Sequence, residues 1–130
     1  MTIELTMLAY ATALLLVLIL IQAVVGVRAQ GLMPLAGARD NLPPPSVFQA
    51  RAKRVVDNHR EGLTVFAPLV LAISIAHISN HWTVLGAELF LCSRVAHAVV
   101  YLAAVPLIRP LVWSVGLVGT VMILFAALGI

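Results

Sequence analysis

The chain has few charged residues and only one cysteine. Charged residues make up 10% of its 130 positions, whereas a soluble domain carries roughly 25%. This shortage of charge excludes an ordinary soluble domain, and a hydrophobic fraction of 62% indicates a membrane protein. The lone Cys92 excludes an internal disulfide, and its apolar surroundings predict a small buried side chain rather than a reactive thiol.

Four stretches of the chain are apolar enough to be membrane spans, at about residues 5–27, 62–78, 84–105 and 110–129. The first has no charge and, as a helix, would be about 34 Å long, enough to cross a hydrocarbon core of ~30 Å. It is too long for a signal peptide and follows Glu4 rather than a basic cluster. Because only helices satisfy their backbone in such spans, we expect one all-α integral membrane domain over residues 1–130, a four-transmembrane-helix bundle. Pro68 is expected either to kink the second span or to lie where a neighbouring group satisfies the freed carbonyl.

The distribution of basic residues predicts the topology. Six of the eight basic residues lie between the first two spans, so this connection and the one holding Arg109 are expected in the cytoplasm, with both termini on the other side. Residues 43–45 are prolines and predict an extended segment, after which the second helix should begin near Val47. Three basic residues outside any motif fit topology signals or contacts with anionic membrane lipid: Arg39, Lys53 and Arg60. Both tryptophans fit interfacial anchors at opposite faces: Trp82 and Trp113.

A first polar stripe runs into the second span. Arg54, Asn58 and Glu61 are four and three residues apart, which places them on one face of a helix. A guanidinium, an amide and a carboxylate in a row could bind a small zwitterionic ligand. A structural ion-pair network explains the same stripe equally well.

A second polar stripe lies within the third span. Arg94, His97 and Tyr101 recur at three and four residues, and a charge at mid-bilayer costs about 2.5–3.5 kcal/mol. Arg94 therefore needs a carboxylate from another helix; Glu88 points elsewhere, and Glu61 is the best candidate. His97 and Tyr101 taken singly would more often be interior residues, but together with Arg94 the two stripes favour a shared functional site.

The two stripes together resemble the MAPEG family, the membrane-associated proteins in eicosanoid and glutathione metabolism, which includes microsomal glutathione transferases. Residues 54–61, Arg-Val-Val-Asp-Asn-His-Arg-Glu, resemble the family's Arg-x-x-x-Asn-x-x-Glu signature. Residues 94–101, Arg-Val-Ala-His-Ala-Val-Val-Tyr, followed by Arg109, resemble its third-helix pattern and the arginine after it. The resemblance covers nearly the whole chain.

The resemblance implies a homotrimer that binds glutathione between subunits, near the cytoplasmic side of the membrane. From the short chain, with little beyond its spans, we expect a bacterial plasma membrane. The implied glutathione-binding residues are Arg28, Arg54, Asn58, Glu61, Arg94, His97 and Tyr101. Glu61 would meet the amino group of glutathione, and Arg109 would be the catalytic arginine that stabilises its thiolate. We therefore expect a glutathione transferase, with or without peroxidase activity, that detoxifies lipophilic electrophiles or hydroperoxides and needs no metal and no nucleic acid.

Two departures from the family narrow the expected activity. Arg109 is followed by Pro110, where the prostaglandin synthase carries a serine, which argues against prostaglandin isomerisation. His97 stands where the leukotriene synthase has its second tyrosine, which argues against that activity as well. Two alternatives stay open: a non-catalytic family scaffold, and a small four-span multidrug transporter. Such transporters carry an essential carboxylate inside span one, whereas here Glu4 lies only at its edge.

Overall fold

The computed structural model describes all 130 residues, as five α-helices without a β-strand. The helices are α1 (Ile3–Gln30), α2 (Leu32–Ala36), α3 (Val47–Ile75), α4 (His81–Leu102) and α5 (Arg109–Leu128). Three of them, α1, α4 and α5, are long and apolar enough to cross a membrane. The prediction of an all-α, multi-pass membrane protein is confirmed. A fourth span, inside α3, stays a prediction, because the first half of that helix is charged.

Helix α3 begins where the sequence predicts, because Ser46 caps it. The Ser46 hydroxyl accepts a hydrogen bond from the backbone N–H of Gln49, and the Gln49 side chain accepts one from the backbone of Ser46. The helix then continues through Pro68 to Ile75. Its 29 residues give a length of about 43 Å, more than the ~30 Å hydrocarbon core.

Several boundaries differ from the sequence-based expectation. The first connection contains the short helix α2, which was not predicted. Helix α4 begins at His81 rather than near residue 84, because the Asn80 side chain accepts hydrogen bonds from the first backbone N–H groups. It ends at Leu102, before the expected residue 105. Cys92, expected to be buried, lies on the exposed side of α4.

The core lies where α1, α3, α4 and α5 meet. Phe66 of α3 and Phe90 of α4 stack almost parallel, with ring centroids 3.8 Å apart, and Ala11 and Ile123 close the same cluster. Only 25 of the 130 residues are buried, because large apolar side chains also cover the outside of the bundle. Such an apolar exterior is what a bilayer requires.

Helices α4 and α5 approach each other closely because glycines line their contact. A Cβ atom placed on Gly86 would lie 2.8 Å from the carbonyl oxygen of Gly119, so neither position has room for a side chain. Two turns away, the Ser93 hydroxyl donates a hydrogen bond of 2.6 Å to the carbonyl of Val112. Small residues and this polar contact hold the pair together.

Glu4 joins the start of α1 to the start of α4. Its carboxylate is only 1% exposed and accepts hydrogen bonds from the hydroxyls of Ser79, at 2.9 Å, and Thr83. Thr83 also belongs to the N-terminal cap of α4. The residue that the sequence placed at the edge of span one is therefore a buried anchor between two helix ends.

Candidate functional site

Two cavities lie between α3, α4 and α5. The inner cavity has a volume of about 140 Å³ and is lined by Asn58, Glu61, Gly62, Val65, Phe90, Arg94, Trp113, Gly116, Leu117 and Thr120. The outer cavity has a volume of about 210 Å³ and is lined by Arg51, Arg54, Tyr101, Ala104, Val105, Pro106 and Arg109. Most of the residues in the two polar stripes line one cavity or the other.

The two cavities follow the same helix faces, one after the other. On α3 the lining residues recur at helical spacing, from residues 51 and 54 in the outer cavity to 58, 61 and 65 in the inner one. On α5 they run from residue 109 to 113, 116 and 120. The distance along α3 from residue 51 to residue 65 is about 21 Å. Because the two cavities follow one another along the same faces of α3 and α5, we call them together the α3–α5 groove.

Arg94 is the central charge of the inner cavity. It is 4% exposed, and its Nη1 donates a hydrogen bond of 2.7 Å to Oδ1 of Asn58. The expectation that Glu61 would pair with it is wrong: the two ion pairs in the chain join Asp57 to Lys53 and to Arg60. Asn58 lies within reach of the guanidinium, while Glu61, one turn further along α3, is on the exposed side of the same cavity.

Two glycines make room for the Arg94 guanidinium. A Cβ atom on Gly62 would lie 3.4 Å from Nη1, and one on Gly116 would lie 3.3 Å from Nη2. The ring of Phe90 lies beside the guanidinium, with its centroid 5.6 Å from Cζ, and the buried Nε has no hydrogen-bond partner. A buried charge without a counter-charge is costly, and in a membrane protein it marks a functional site.

The outer cavity brings together residues from three helices. Arg54 and Tyr101, from the two separate stripes, line it together with Arg109. The Arg109 guanidinium lies over the Tyr101 ring, with its Cζ 4.4 Å from the ring centroid. His97 is buried behind the ring, with its centroid 5.6 Å from that of Tyr101. This stacking fixes Arg109 at the first residue of α5.

Two predicted residues line neither cavity. His97 is buried next to Tyr101 and lines neither cavity. Arg28 is exposed at the end of α1, outside the α3–α5 groove. Within one chain, the helices therefore bring six of the eight predicted residues into the groove: Arg54, Asn58, Glu61, Arg94, Tyr101 and Arg109.

Sequence reasoning did not identify His59 as a positioning residue. Its Nε2 lies 2.7 Å from the carbonyl oxygen of Ala11 on α1, and its ring lies 6.5 Å from Phe90. These contacts hold the His59 face of α3 against α1 and α4, and the preceding residue, Asn58, lines the inner cavity. The sequence does contain a signal for the burial of His59, because this residue lies four positions from each of the apolar residues Val55 and Leu63 on the same face of α3.

The groove carries more positive than negative charge. Its lining includes four guanidinium groups, from Arg51, Arg54, Arg94 and Arg109, and a single carboxylate, from Glu61. Arginine binds carboxylates with directed, charge-assisted hydrogen bonds. The groove therefore suits a ligand with more than one carboxylate and one amino group.

The family comparison agrees with this geometry. The MAPEG family model matches residues 7–129. The chain belongs to the MAPEG family. It is therefore a multi-pass membrane protein of the family that acts in glutathione and eicosanoid metabolism, and both polar stripes of this MAPEG protein lie inside the matched range. No curated protein and no solved structure matches the chain.

Proposed function

We propose that this MAPEG protein is a membrane glutathione transferase that binds glutathione in the α3–α5 groove and activates its sulfur there. The observation that supports this most directly is the buried Arg94 guanidinium, which faces the inner cavity without a counter-charge. A ligand carboxylate would supply the missing negative charge.

The groups of glutathione match the groups of the groove. Glutathione carries two carboxylates, one ammonium and one thiol. Arg94 and Arg54 would bind the carboxylates, and Glu61 would bind the ammonium from the exposed side of the inner cavity. An extended tripeptide is about 11 Å long, so it fits within the roughly 21 Å of α3 that lines the groove.

Each cavity is too small to hold the tripeptide by itself. Their volumes are about 140 and 210 Å³, whereas pockets for ligands of this class measure about 300–1,000 Å³. We propose that a neighbouring subunit completes the site in a homotrimer. The exposed Arg28 at the end of α1 would then reach glutathione bound to the next subunit. The buried His97 would support the glutathione site through its contact with the Tyr101 ring.

Arg109 is proposed to stabilise the glutathione thiolate. A thiol with a pKa of about 8.5 is only about 3% ionised at pH 7. A guanidinium that lowers this pKa by about two units would leave roughly three-quarters as thiolate, at about 2.7 kcal/mol of differential stabilisation. Arginine suits the role because it remains charged, and the Tyr101 ring holds it in place.

The thiolate would then attack a lipophilic electrophile supplied by the bilayer. With an aryl chloride, the sulfur forms a bond to the ring carbon, the carbon–chlorine bond breaks, and chloride leaves with the electron pair. With a hydroperoxide, the sulfur attacks oxygen and the O–O bond breaks; a second glutathione then gives the disulfide, an alcohol and water. In both reactions the protein supplies position and charge, and glutathione is the nucleophile.

The proposed site faces the cytoplasm of a bacterial plasma membrane. The support is the basic character of the end of the bundle that holds Arg28, Arg51, Arg54 and Arg109, because membrane proteins retain positive charge on the cytoplasmic side.

Conjugation by the purified protein tests the proposal. Detergent-solubilised protein should conjugate a chlorodinitrobenzene to glutathione or reduce an alkyl hydroperoxide, while Arg60→Ala, which removes an exposed arginine outside the groove, should leave the rate unchanged. Glutathione binding without either reaction would indicate a non-catalytic member of the family. Proton-coupled drug uptake in vesicles without glutathione would indicate a transporter instead.

A further inference from the structure

Glu88 lies on the outer face of α4, a helix long and apolar enough to cross the membrane. Helix α4 packs against α1, α3 and α5, and the residues that it buries, such as Phe90 and Arg94, lie on one side of the helix. Glu88 lies on the other side and is exposed. It belongs to neither of the two ion pairs of the chain and lines no part of the α3–α5 groove. The proposed transferase function therefore leaves this carboxylate without a role.

The depth of Glu88 in the membrane follows from its distance to Trp82. Trp82 is 64% exposed in the first turn of α4 and fits the interfacial anchor expected at this face of the membrane. Glu88 is six residues further along the helix, about 9 Å inside that boundary. Glutamate lacks the long stem with which lysine and arginine side chains reach the interface. A carboxylate at this depth is costly without a partner and marks a functional site, so Glu88 needs a positive group at its own level.

The chain has no exposed cation at the level of Glu88. Phe90 stacks against Phe66 of the antiparallel helix α3, which places Glu88 level with about residue 68 of that helix. The nearest exposed basic side chain of α3, Arg60, is eight residues away, about 12 Å along the axis, and the other exposed basic residues lie nearer to the two ends of the bundle. A second copy of the chain in the same orientation carries its cations at the same levels, and the ammonium groups of lipids lie at the boundary. The positive group must therefore come from another membrane protein.

We propose that the outer face of α4, formed by Glu88, Cys92, Val95 and Val99, docks a transmembrane helix of another membrane protein. That helix carries a lysine or arginine about 9 Å inside the boundary at which α4 begins. The basic side chain forms a charge-assisted hydrogen bond with the Glu88 carboxylate, and the two valines, 45% and 63% exposed, supply apolar contact. Cys92, exposed one turn from Glu88, is small enough for the two backbones to approach closely. Because this face points away from the α3–α5 groove, the docked protein leaves the glutathione site open.

A designed transmembrane peptide of leucine and alanine serves as the probe. It carries one lysine about 9 Å inside the same boundary, arginines at its cytoplasmic end to fix its orientation, and a dansyl group at the other end. A matched peptide has leucine in place of the lysine. Trp113→Phe leaves Trp82 as the single tryptophan, so energy transfer from Trp82 to dansyl in proteoliposomes measures docking near Glu88. The lysine peptide should give saturable transfer, and the leucine peptide only a linear rise with its concentration.

A variant without the carboxylate gives the first test, in the Trp113→Phe protein. Glu88→Gln should weaken association with the lysine peptide about 5- to 30-fold, the range for one polar contact between helices in a membrane. Glu61→Gln, which removes an exposed carboxylate from the groove, should leave the association unchanged. Both variants should keep the unfolding midpoint of the parent protein, which separates lost docking from misfolding. Equal association of the lysine peptide with Glu88→Gln protein, or a linear response from the parent, would overturn the proposal.

Disulfide cross-linking gives the second test, because Cys92 is the only cysteine of the chain. A lysine peptide with one cysteine four residues from its lysine, on the same helix face, should cross-link to the protein when copper–phenanthroline is added as the oxidant. Cys92→Ala should abolish this product, and Glu88→Gln should reduce its yield. An equal yield from Glu88→Gln protein would overturn the proposal. Cross-linked pairs of the protein itself, in place of the peptide product, would also overturn it, because a second copy would then cover this face. Neither test requires glutathione, so their failure would leave the proposed transferase function standing.

Discussion

The Arg94 Nη1 atom lies 2.7 Å from Oδ1 of Asn58, and this hydrogen bond joins α4 to α3 without neutralising the guanidinium. An amide satisfies one of the five N–H donors of the arginine and leaves its charge available. A carboxylate at the same place would pair with the charge and compete with any anionic ligand. The identity of residue 58 therefore decides whether the inner cavity presents a free positive charge.

Asn58→Asp should strengthen the contact with Arg94 and weaken glutathione binding. The new carboxylate would occupy the guanidinium, and we expect the glutathione Kd to rise at least about tenfold, corresponding to the 1.5–3 kcal/mol of a hydrogen bond to a charged group. Isothermal titration calorimetry measures the change. Asp57→Asn is the control, because its exposed side chain pairs with Lys53 outside the groove. Unchanged affinity in Asn58→Asp protein would show that no ligand anion meets Arg94.

Arg109→Ala should reduce the rate of conjugation much more than glutathione binding. Without the guanidinium, the pKa of the bound thiol returns from about 6.5 to about 8.5, and the thiolate fraction at pH 7 falls roughly 25-fold. Since the thiolate is the reactive form, the rate rises with pH, and the midpoint of kcat against pH should move upward by about two units. Arg109→Lys, which keeps the charge, should give an intermediate midpoint. Full activity of Arg109→Ala at pH 7 would remove Arg109 from the mechanism.

Glu4→Ala should destabilise the bundle without changing the site. It leaves the buried Thr83 hydroxyl, and that of Ser79, without their carboxylate acceptor, at a cost of about 1–3 kcal/mol. The midpoint of thermal unfolding in detergent, followed by circular dichroism, should fall by several degrees. Glu88→Ala removes an exposed carboxylate from the same part of α4 and should have little effect. Equal midpoints for the two variants would show that Glu4 does not anchor the helix ends.

Gly119→Ala should separate α4 from α5. The added Cβ would contact the Gly86 carbonyl oxygen and lie 3.0 Å from the backbone nitrogen of Phe90, and overpacking of this kind costs about 1–3 kcal/mol. Both the unfolding midpoint and the conjugation rate should fall, because Phe90 also supports Arg94. In Gly37→Ala the nearest atom to the new Cβ is 3.6 Å away, so this control should behave as wild type. A wild-type midpoint for Gly119→Ala would mean that the helices lie further apart.

The sequence predicted the helices and the two polar stripes because both follow from periodicity. Apolar runs of sufficient length give helices in a membrane, and spacings of three and four give a shared face. The start of α3 was predictable because Ser46 and the prolines before it are local signals. The start of α4 does not follow from apolar periodicity, because it is set by a cap that Asn80 and Thr83 form inside a polar segment.

The partner of Arg94 could not be predicted, because it depends on the rotation and separation of two helices. The sequence shows that a buried arginine needs a polar partner, but Asn58 and Glu61 lie on the same face of α3. The choice between them depends on contacts elsewhere, such as His59 with Ala11 and the small residues Gly62 and Gly116 beside the guanidinium. The role of Arg28 and the homotrimer stay predictions, since both depend on a neighbouring subunit.

Ultraviolet absorbance of glutathione bound to the detergent-solubilised protein is the most direct measurement of thiolate formation. Titration of wild-type protein at pH 7 should produce a saturable thiolate band, equivalent to roughly three-quarters of the bound glutathione, and Arg109→Ala should bind the tripeptide with almost no band. A folded wild-type protein that binds glutathione and leaves its sulfur protonated would contradict the proposed activation.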